Sequence, residues 1–454
     1  MGVVLPLILA LLPLQAAAPA PVRPNLLLVV TDDQRADCLG VAGHPVLQTP
    51  ELDALARAGV RFENAFVTTP ICAASRASIL TSLPESGHGY TFGTPPISAA
   101  HARASYPALL RAAGYRTGFV GKWGVRVAPG LREEMFDAFV ALAPDPYSKV
   151  QADGSRRHLT EITVDRAIDF LGSDDGRPFC LTVSFNAPHA EDGDPQQYFW
   201  PPEEDGLYGR AEVPPPPLSD PAFFAAQPAF LRESLGRVRW GWRFDTEEKR
   251  QRMTRGYWRM ITGVDRAFGR LRAALAAKGR AENTVILFVS DNGYFLGERG
   301  LAGKWLIHEV SIRVPLILFD PRRPRATKPQ TRTEMALNLD LAPTMLELAG
   351  VAAPAGWQGR SLVPLLAGPV DAWRSEFFFE HRFAHPQIPQ SEGLRGERWV
   401  YARYPGQDPV FEELYDLHED PHQARNLAGD PRCAGVLADH RRRCAALAAA
   451  AAGK

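Results

Sequence analysis

Cys72 and Arg76 stand four residues apart in Cys72-Ala-Ala-Ser-Arg76, where the β-prone stretch 62–69 gives way to a helical run over 77–82. A cysteine at a helix N-terminus, with an arginine one turn on, sits in a positive field that favours a thiolate or another anion. Alone, such a cysteine is most often a small buried hydrophobe. The rest of the chain gives it company. Asp32-Asp33 follows the apolar run 25–31, and Asp291-Asn292 follows a second apolar run, 284–290. Adjacent carboxylates at the end of a buried strand are costly unless a cation neutralises them. All four candidate ligands offer oxygen, which suits Ca²⁺ and, less well, Mg²⁺ rather than zinc. Lys122, His189 and Lys304 each fall shortly after a strand-like run or the second acidic pair. A divalent cation with Lys, Arg and His converging on one point suits a tetrahedral oxyanion ester.

The elements that must position these groups read as strands alternating with helices: strands at 25–31, 115–120, 179–185, 284–290 and 314–319, helices at 50–58, 107–113, 161–171, 247–278 and 335–349. That alternation predicts an α/β fold with a large, mostly parallel central sheet flanked by helices. In such sheets ligands bind at the carboxyl ends of the strands, where the acidic pairs fall. Thr49 is the expected N-cap of helix 50–58. Residues 193–245, rich in Pro and aromatics, break the rhythm and read as an insertion over the functional edge. Its Tyr198, Phe199, Trp200, Trp240 and Trp242 could stack on sugar rings or pack a satellite core. After Gly368 short strands near 377–380, 399–404 and 414–416 precede a final helix, a smaller C-terminal α+β subdomain over 369–446. The catalytic unit is expected over 22–368.

With 51 basic and 51 acidic residues the net charge is zero, which gives no footprint for nucleic acid. The apolar run 3–14, followed by Ala16-Ala-Ala18, predicts a signal peptide over residues 1–20 and a secreted or periplasmic protein. No other apolar run is long enough to span a membrane. The five cysteines do not form a disulfide framework. Cys433 and Cys444 on one helix would stand roughly 16 Å apart, too far to bridge.

These residues resemble the formylglycine-dependent (type I) sulfatases of the alkaline phosphatase superfamily, from Pro24 to about Leu427, and in overall pattern the bacterial carbohydrate sulfatases. The markers are 25–33 (NLLLVVTDD), Cys72-Ala-Ala-Ser-Arg76, 114–123 (GYRTGFVGKW), Ala187-Pro-His189, Ser290-Asp-Asn-Gly293 and Leu414-Tyr-Asp-Leu417. The resemblance implies that a maturation enzyme converts Cys72 to formylglycine, whose hydrate attacks sulfur. It implies that Asp32, Asp33, Asp291, Asn292 and residue 72 hold Ca²⁺. Arg76 would orient the hydrate, and Lys122, His189 and Lys304 would bind the sulfate of a sulfated glycan. Two positions depart from the pattern. Ala74 replaces a frequent proline. Gly124 replaces the histidine that usually follows Lys-Trp and serves sulfate release, leaving His308, His189 or water for that role. On this reading, Gly124→His is expected to raise turnover if sulfate release limits it. Donors in 380–385 and at Arg395 are expected at the pocket rim. A phosphoester or phosphonate hydrolase, or a non-catalytic binder of sulfated glycans, would use the same residues.

Overall fold

The computed structural model describes residues 23–453 apart from 174, 325 and 326; the expected signal peptide lies outside them. Eight strands form the main sheet: β1 (Asn25–Thr31), β2 (Val60–Phe62), β3 (Arg116–Gly121), β4 (Ala138–Ala141), β5 (Phe179–Ser184), β6 (Thr284–Ser290), β7 (Leu316–Phe319) and β8 (Gln330–Arg332). Their order across the sheet is β8-β2-β7-β6-β1-β5-β3-β4, and only β7 runs against its neighbours. The expected mostly parallel sheet is therefore present.

Strand β1 shows why the sheet is central. Leu26, Leu28 and Val30 enter one apolar core, while Leu27 and Val29 enter another on the opposite face. A strand buried on both faces needs the continuous apolar run that marks it in the sequence. Three helices cover the second face: α1 (Pro50–Ala58), α3 (Leu159–Gly172) and α4 (Glu247–Ala277). The first face is covered by α2 (Cys72–Thr81) and α5 (Leu341–Leu348). The helix expected over 335–349 is shorter, because Ala336–Leu337 pairs as a strand with Ala65–Phe66. Thr49 does not cap α1. Its hydroxyl accepts from Gly40 N and donates to Asp53, and the cap comes from α4 instead: Asp265 accepts from Leu52 N at 2.7 Å and Glu51 N at 3.2 Å. A cap supplied by tertiary packing leaves no local sequence signal.

A second sheet, four antiparallel strands, follows: β9 (Glu376–His381), β10 (Ser391–Gly396), β11 (Trp399–Tyr404) and β12 (Phe411–Asp416). Phe377 and Phe379 face the main core, with the Phe377 ring 5.2 Å from that of Phe66. Phe378, Leu394, Tyr401 and Leu414 face the terminal helix α6 (Ala434–Ala451). Strand β10 has two glycines and no β-branched residue, so only its pairing with β9 and β11 makes it a strand. All five cysteines are free. No helix among the described residues is long and apolar enough to cross a membrane.

Candidate active site

Four neighbouring strands, β3, β5, β1 and β6, deliver Lys122, His189, Asp32-Asp33 and Asp291-Asn292 from their carboxyl ends to one point. Gly121 lets β3 pass close enough: its φ is 111°, and a Cβ there would stand 1.9 Å from Ser184 O. Lys122 N then donates to Ser184 O at 2.9 Å. Asp33 has φ 68°, unusual for a residue with a side chain and common where a site holds backbone strain. Tyr257 holds that turn, donating to Asp33 O at 2.7 Å and accepting from Arg35 N at 3.1 Å.

Cys72 is the first residue of α2, all ten residues of which are buried. Its N-cap is Ile71, which has no side-chain acceptor, so the first-turn N–H groups are not capped by a side chain. Such a terminus is suited to an anion. The expected thiolate is not what this position favours. Burial pushes the Cys72 thiol up, and Lys122 and Lys304 only partly offset it.

The charges interlock. Arg76 Nε donates to Asp291 at 2.8 Å and Nη1 to Lys122 O at 2.7 Å, with Ser184 also bound. Lys122 pairs with Asp32, and Lys304 with Asp33. The His189 ring lies 3.7 Å from Asp33. Burial raises the Asp32 carboxyl, but Lys122, Lys304, His189 and Arg76 outweigh it and hold the group well below the usual range. Burial and the neighbouring Asp32 charge push Asp291 the other way, up to about 7. Burial, with Lys122, brings His189 down to about 4 against the pull of Asp33 and Asp32. Its Nδ1 lies 2.6 Å from Ala190 O. A carbonyl only accepts, so Nδ1 carries the proton and Nε2 is left as a lone pair facing Asp33.

The oxygen-rich set fits a hard cation. Asp32 Oδ1 and Asn292 Oδ1 are buried acceptors without a hydrogen bond. One ligand atom each from Asp32, Asp33 and His189 lies within 4.8 Å of the others. Asp291 joins through Asp33 N at 3.3 Å, and Asn292 through Asp33 Oδ1. Buried acceptors that no protein donor serves are what a bound cation satisfies.

His308 is not brought to this cluster. Its ring packs between Phe295 and Tyr415, each centroid 5.8 Å away, and its charged neighbour is Arg299. Burial, with Arg299, drives the imidazole well below its usual value. Gly124 has φ 72°, and a Cβ there would stand 2.9 Å from Arg76 Cδ. The gain expected from Gly124→His therefore gives way to strain against the arginine that ties the site together. The insertion aromatics divide. Tyr198 is buried against Tyr257, and Trp200 donates to Asp205 beneath Arg259. Phe199 packs against the same core. Trp240 lies under Arg237, while Trp242 is exposed. Of the expected rim donors, Arg395 instead pairs with Glu309, and His381 is fully buried.

Several groups at the site had no signal in the sequence. Tyr90 OH donates to Gly124 O at 3.3 Å, and Tyr147 OH to His189 O at 2.8 Å. Asp192 pairs with Arg239 and Arg243, and Arg239 lies over the ring of Trp305, next to Lys304. Each is an ordinary tyrosine, aspartate or arginine in sequence; only the fold brings it in.

A four-strand carboxyl edge bearing interleaved carboxylates and cations suits a tetrahedral oxyanion ester. The chain belongs to the sulfatase family, matching it over residues 24–351, and matches the C-terminal region of N-sulphoglucosamine sulphohydrolase over 297–450. It is 27% identical to an N-acetylglucosamine-6-O-sulfatase of Bacteroides thetaiotaomicron, over 90% of this chain and 83% of that one. It is 31% identical to a choline-sulfatase of Rhizobium meliloti, with 90% and 83% covered. A structure solved in complex with its substrate D-glucosamine-2-N,6-O-disulfate superposes with TM-score 0.79 at 25% identity, covering 95% of this chain and 98% of that one. The phosphonate monoester hydrolase of Agrobacterium radiobacter shares the fold, with TM-score 0.80 at 24% identity over 94% and 96% of the two chains. The protein is thus an enzyme of the sulfuric ester hydrolase class.

Proposed function

We propose that the protein removes sulfate from a sulfated carbohydrate of glucosamine type, using a formylglycine made from Cys72 and a calcium ion. The observation that carries this is the meeting of Asp32, Asp33 and Asp291 with Arg76, Lys122, Lys304 and His189 beside the helix that opens at Cys72. The sugar class is supported by the N-acetylglucosamine-6-O-sulfatase and by the neighbour holding a sulfated glucosamine. We place the reaction outside the cytoplasm, after a maturation enzyme has oxidised residue 72.

Asp32, Asp33, Asp291 and Asn292 would hold the cation together with an oxygen of residue 72. Bound there, the cation supplies positive charge to polarise the ester and the nucleophile. As a hydrated aldehyde, residue 72 would supply a nucleophilic hydroxyl and a second hydroxyl for release of sulfate, which would split one hard hydrolysis into two easier steps.

The chain's own groups do the rest. Arg76, fixed by Asp291, Ser184 and Lys122 O, orients residue 72 one helical turn away. Lys304, which is buried, and Lys122, 13% exposed, are cations that complement the charge growing on the sulfuryl oxygens. Burial opposes the charge on Lys304 while Asp33 sustains it, which leaves Lys304 a protonated donor for the departing alcohol oxygen. His189, neutral with its Nε2 lone pair facing the cluster, accepts the second hydroxyl's proton. It takes the part that Gly124 cannot.

A panel of glucosamine 6-O-sulfate, glucosamine N-sulfate and their phosphate counterparts tests this reading. Release of sulfate from the sulfated sugars, at least tenfold faster than phosphate from the matched esters, is the expected result. Preference for the phosphate esters would instead assign the phosphoester chemistry.

A further inference from the structure

A second cavity, of about 480 Å³, lies between the C-terminal sheet and the segment that follows Asn292. It shares no residue with the catalytic cluster. Its mouth is rimmed by exposed Asp37, Pro217 and His422, and its floor by buried His308, Arg299 and Gln423.

The floor carries buried polar atoms with no hydrogen-bond partner among the described residues. Neither ring nitrogen of His308, 2% exposed, has a hydrogen-bond partner among the described residues. Gln423, also 2% exposed, accepts from Glu309 N through Oε1 at 3.0 Å. That bond fixes the amide, so the unpartnered Nε2 is the NH₂ end. Arg299 donates to Gln423 O and Tyr415 OH and has no carboxylate partner among the described residues, where its buried Nε has no hydrogen-bond partner either. Arg313 Nε is likewise buried without a partner.

The cavity's carboxylates are already taken. Arg35 pairs with Asp37 and Glu298, and Arg395 with Glu309 at 3.0 Å. What remains is two guanidinium groups, an amide NH₂ and a neutral imidazole that offers one N–H, in a pocket closed on one side. Buried donors without acceptors are costly, and an oxyanion satisfies several at once. The volume exceeds that of one small ion and leaves room for a sugar ring attached to it.

We propose that this cavity is a second binding site, separate from the catalytic one, for an oxyanion of the sulfate class, either the free ion or a sulfate group on a glycan chain. His308, Arg299, Arg313 and Gln423 hold it. This goes beyond the catalytic reading and does not depend on the state of residue 72.

Calorimetric titration of the mature protein with inorganic sulfate, and separately with a sulfated glucosamine disaccharide, tests the site. Three variants serve: Lys122→Gln, Arg313→Gln and Gln423→Glu. The last keeps the acceptor for Glu309 N and turns the NH₂ donor into a charge that repels the anion, so its effect does not depend on a lost fold contact. The wild type is expected to bind sulfate at two sites, with Gln423→Glu and Arg313→Gln each weakening one at least tenfold. Turnover of a small sulfate ester should stay within twofold in both. If the two variants weaken both ligands, the anion itself is recognised; if they weaken the disaccharide alone, the glycan is the source. Loss of all sulfate binding in Lys122→Gln, with wild-type binding of both ligands in the two cavity variants, would overturn the proposal. If instead Lys122→Gln binds as wild type and Gln423→Glu does not, this site stands and the catalytic assignment falls.

Discussion

The protein builds two charged pockets on opposite rules. At the carboxyl edge of the main sheet each cation faces a carboxylate: Arg76 with Asp291, Lys122 with Asp32, Lys304 with Asp33. At the junction with the C-terminal sheet, Arg299 and Arg313 face none among the described residues. A balanced set of opposite charges suits a metal and an anion bound together, where the ligand carries both signs. A surplus of donors suits an anion alone. The comparison also shows why the same residue type means different things. His189 and His308 both have pKa values lowered by burial, but only His189 has its Nδ1 tied to a carbonyl and its other nitrogen facing carboxylates.

The largest expected effect breaks the balanced pocket. Cys72→Ala should cost about 10³-fold or more in kcat, since it removes the proposed nucleophile, while the melting temperature stays near wild type. Chelation comes next. Stripping divalent cations should lower activity about 10²-fold or more, and Ca²⁺ should restore it better than Mg²⁺, because the ligands are carboxylate and amide oxygens. Activity indifferent to chelator in a metal-free preparation would break the contrast between the two pockets. Gly124→His should lower kcat roughly tenfold rather than raise it, as strain at φ 72° and crowding of Arg76 disturb the proposed orienting group. A rise would show that Arg76 can yield.

The smallest effect lies away from both pockets. Burial, and then the facing Glu380, push Glu85 up to about 8. Arg382 N and Ser86 donate to the pair, and Arg382 lies 3.7 Å from Glu380. A carboxyl raised in the folded state binds more protons there than unfolded, so stability falls as pH rises from about 4.5 to about 8. Glu85→Gln should remove roughly 1–3 kcal/mol of that pH dependence, read from denaturant midpoints at pH 5 and 8. An unchanged slope would place the dependence elsewhere.

Much of the balanced pocket is legible in the sequence. Buried parallel strands advertise themselves as continuous apolar runs, and the residues just past them are the only place ligands can sit. Asp32-Asp33 and Asp291-Asn292 could be found for that reason. Lys122 and His189 follow strands in the same way. The junction cavity was not legible. Its groups come from the turn at Arg299, the short helix starting after His308 and a loop at Gln423, which no local pattern connects. His308 drew attention only because it follows Lys304 by four residues, and the fold sends the two into different pockets. The cap on α1 and strand β10 were missed for the same cause: each exists through a distant partner.

The central claim is that residue 72 works as formylglycine. Mass spectrometry of the tryptic peptide 62–76, from protein produced with a formylglycine-generating enzyme, tests it most directly. The peptide should be lighter by about 18 Da than its cysteine form, as replacing the thiol by an aldehyde requires, and sulfate release should rise with the converted fraction. Full activity from protein whose peptide retains only cysteine would contradict it.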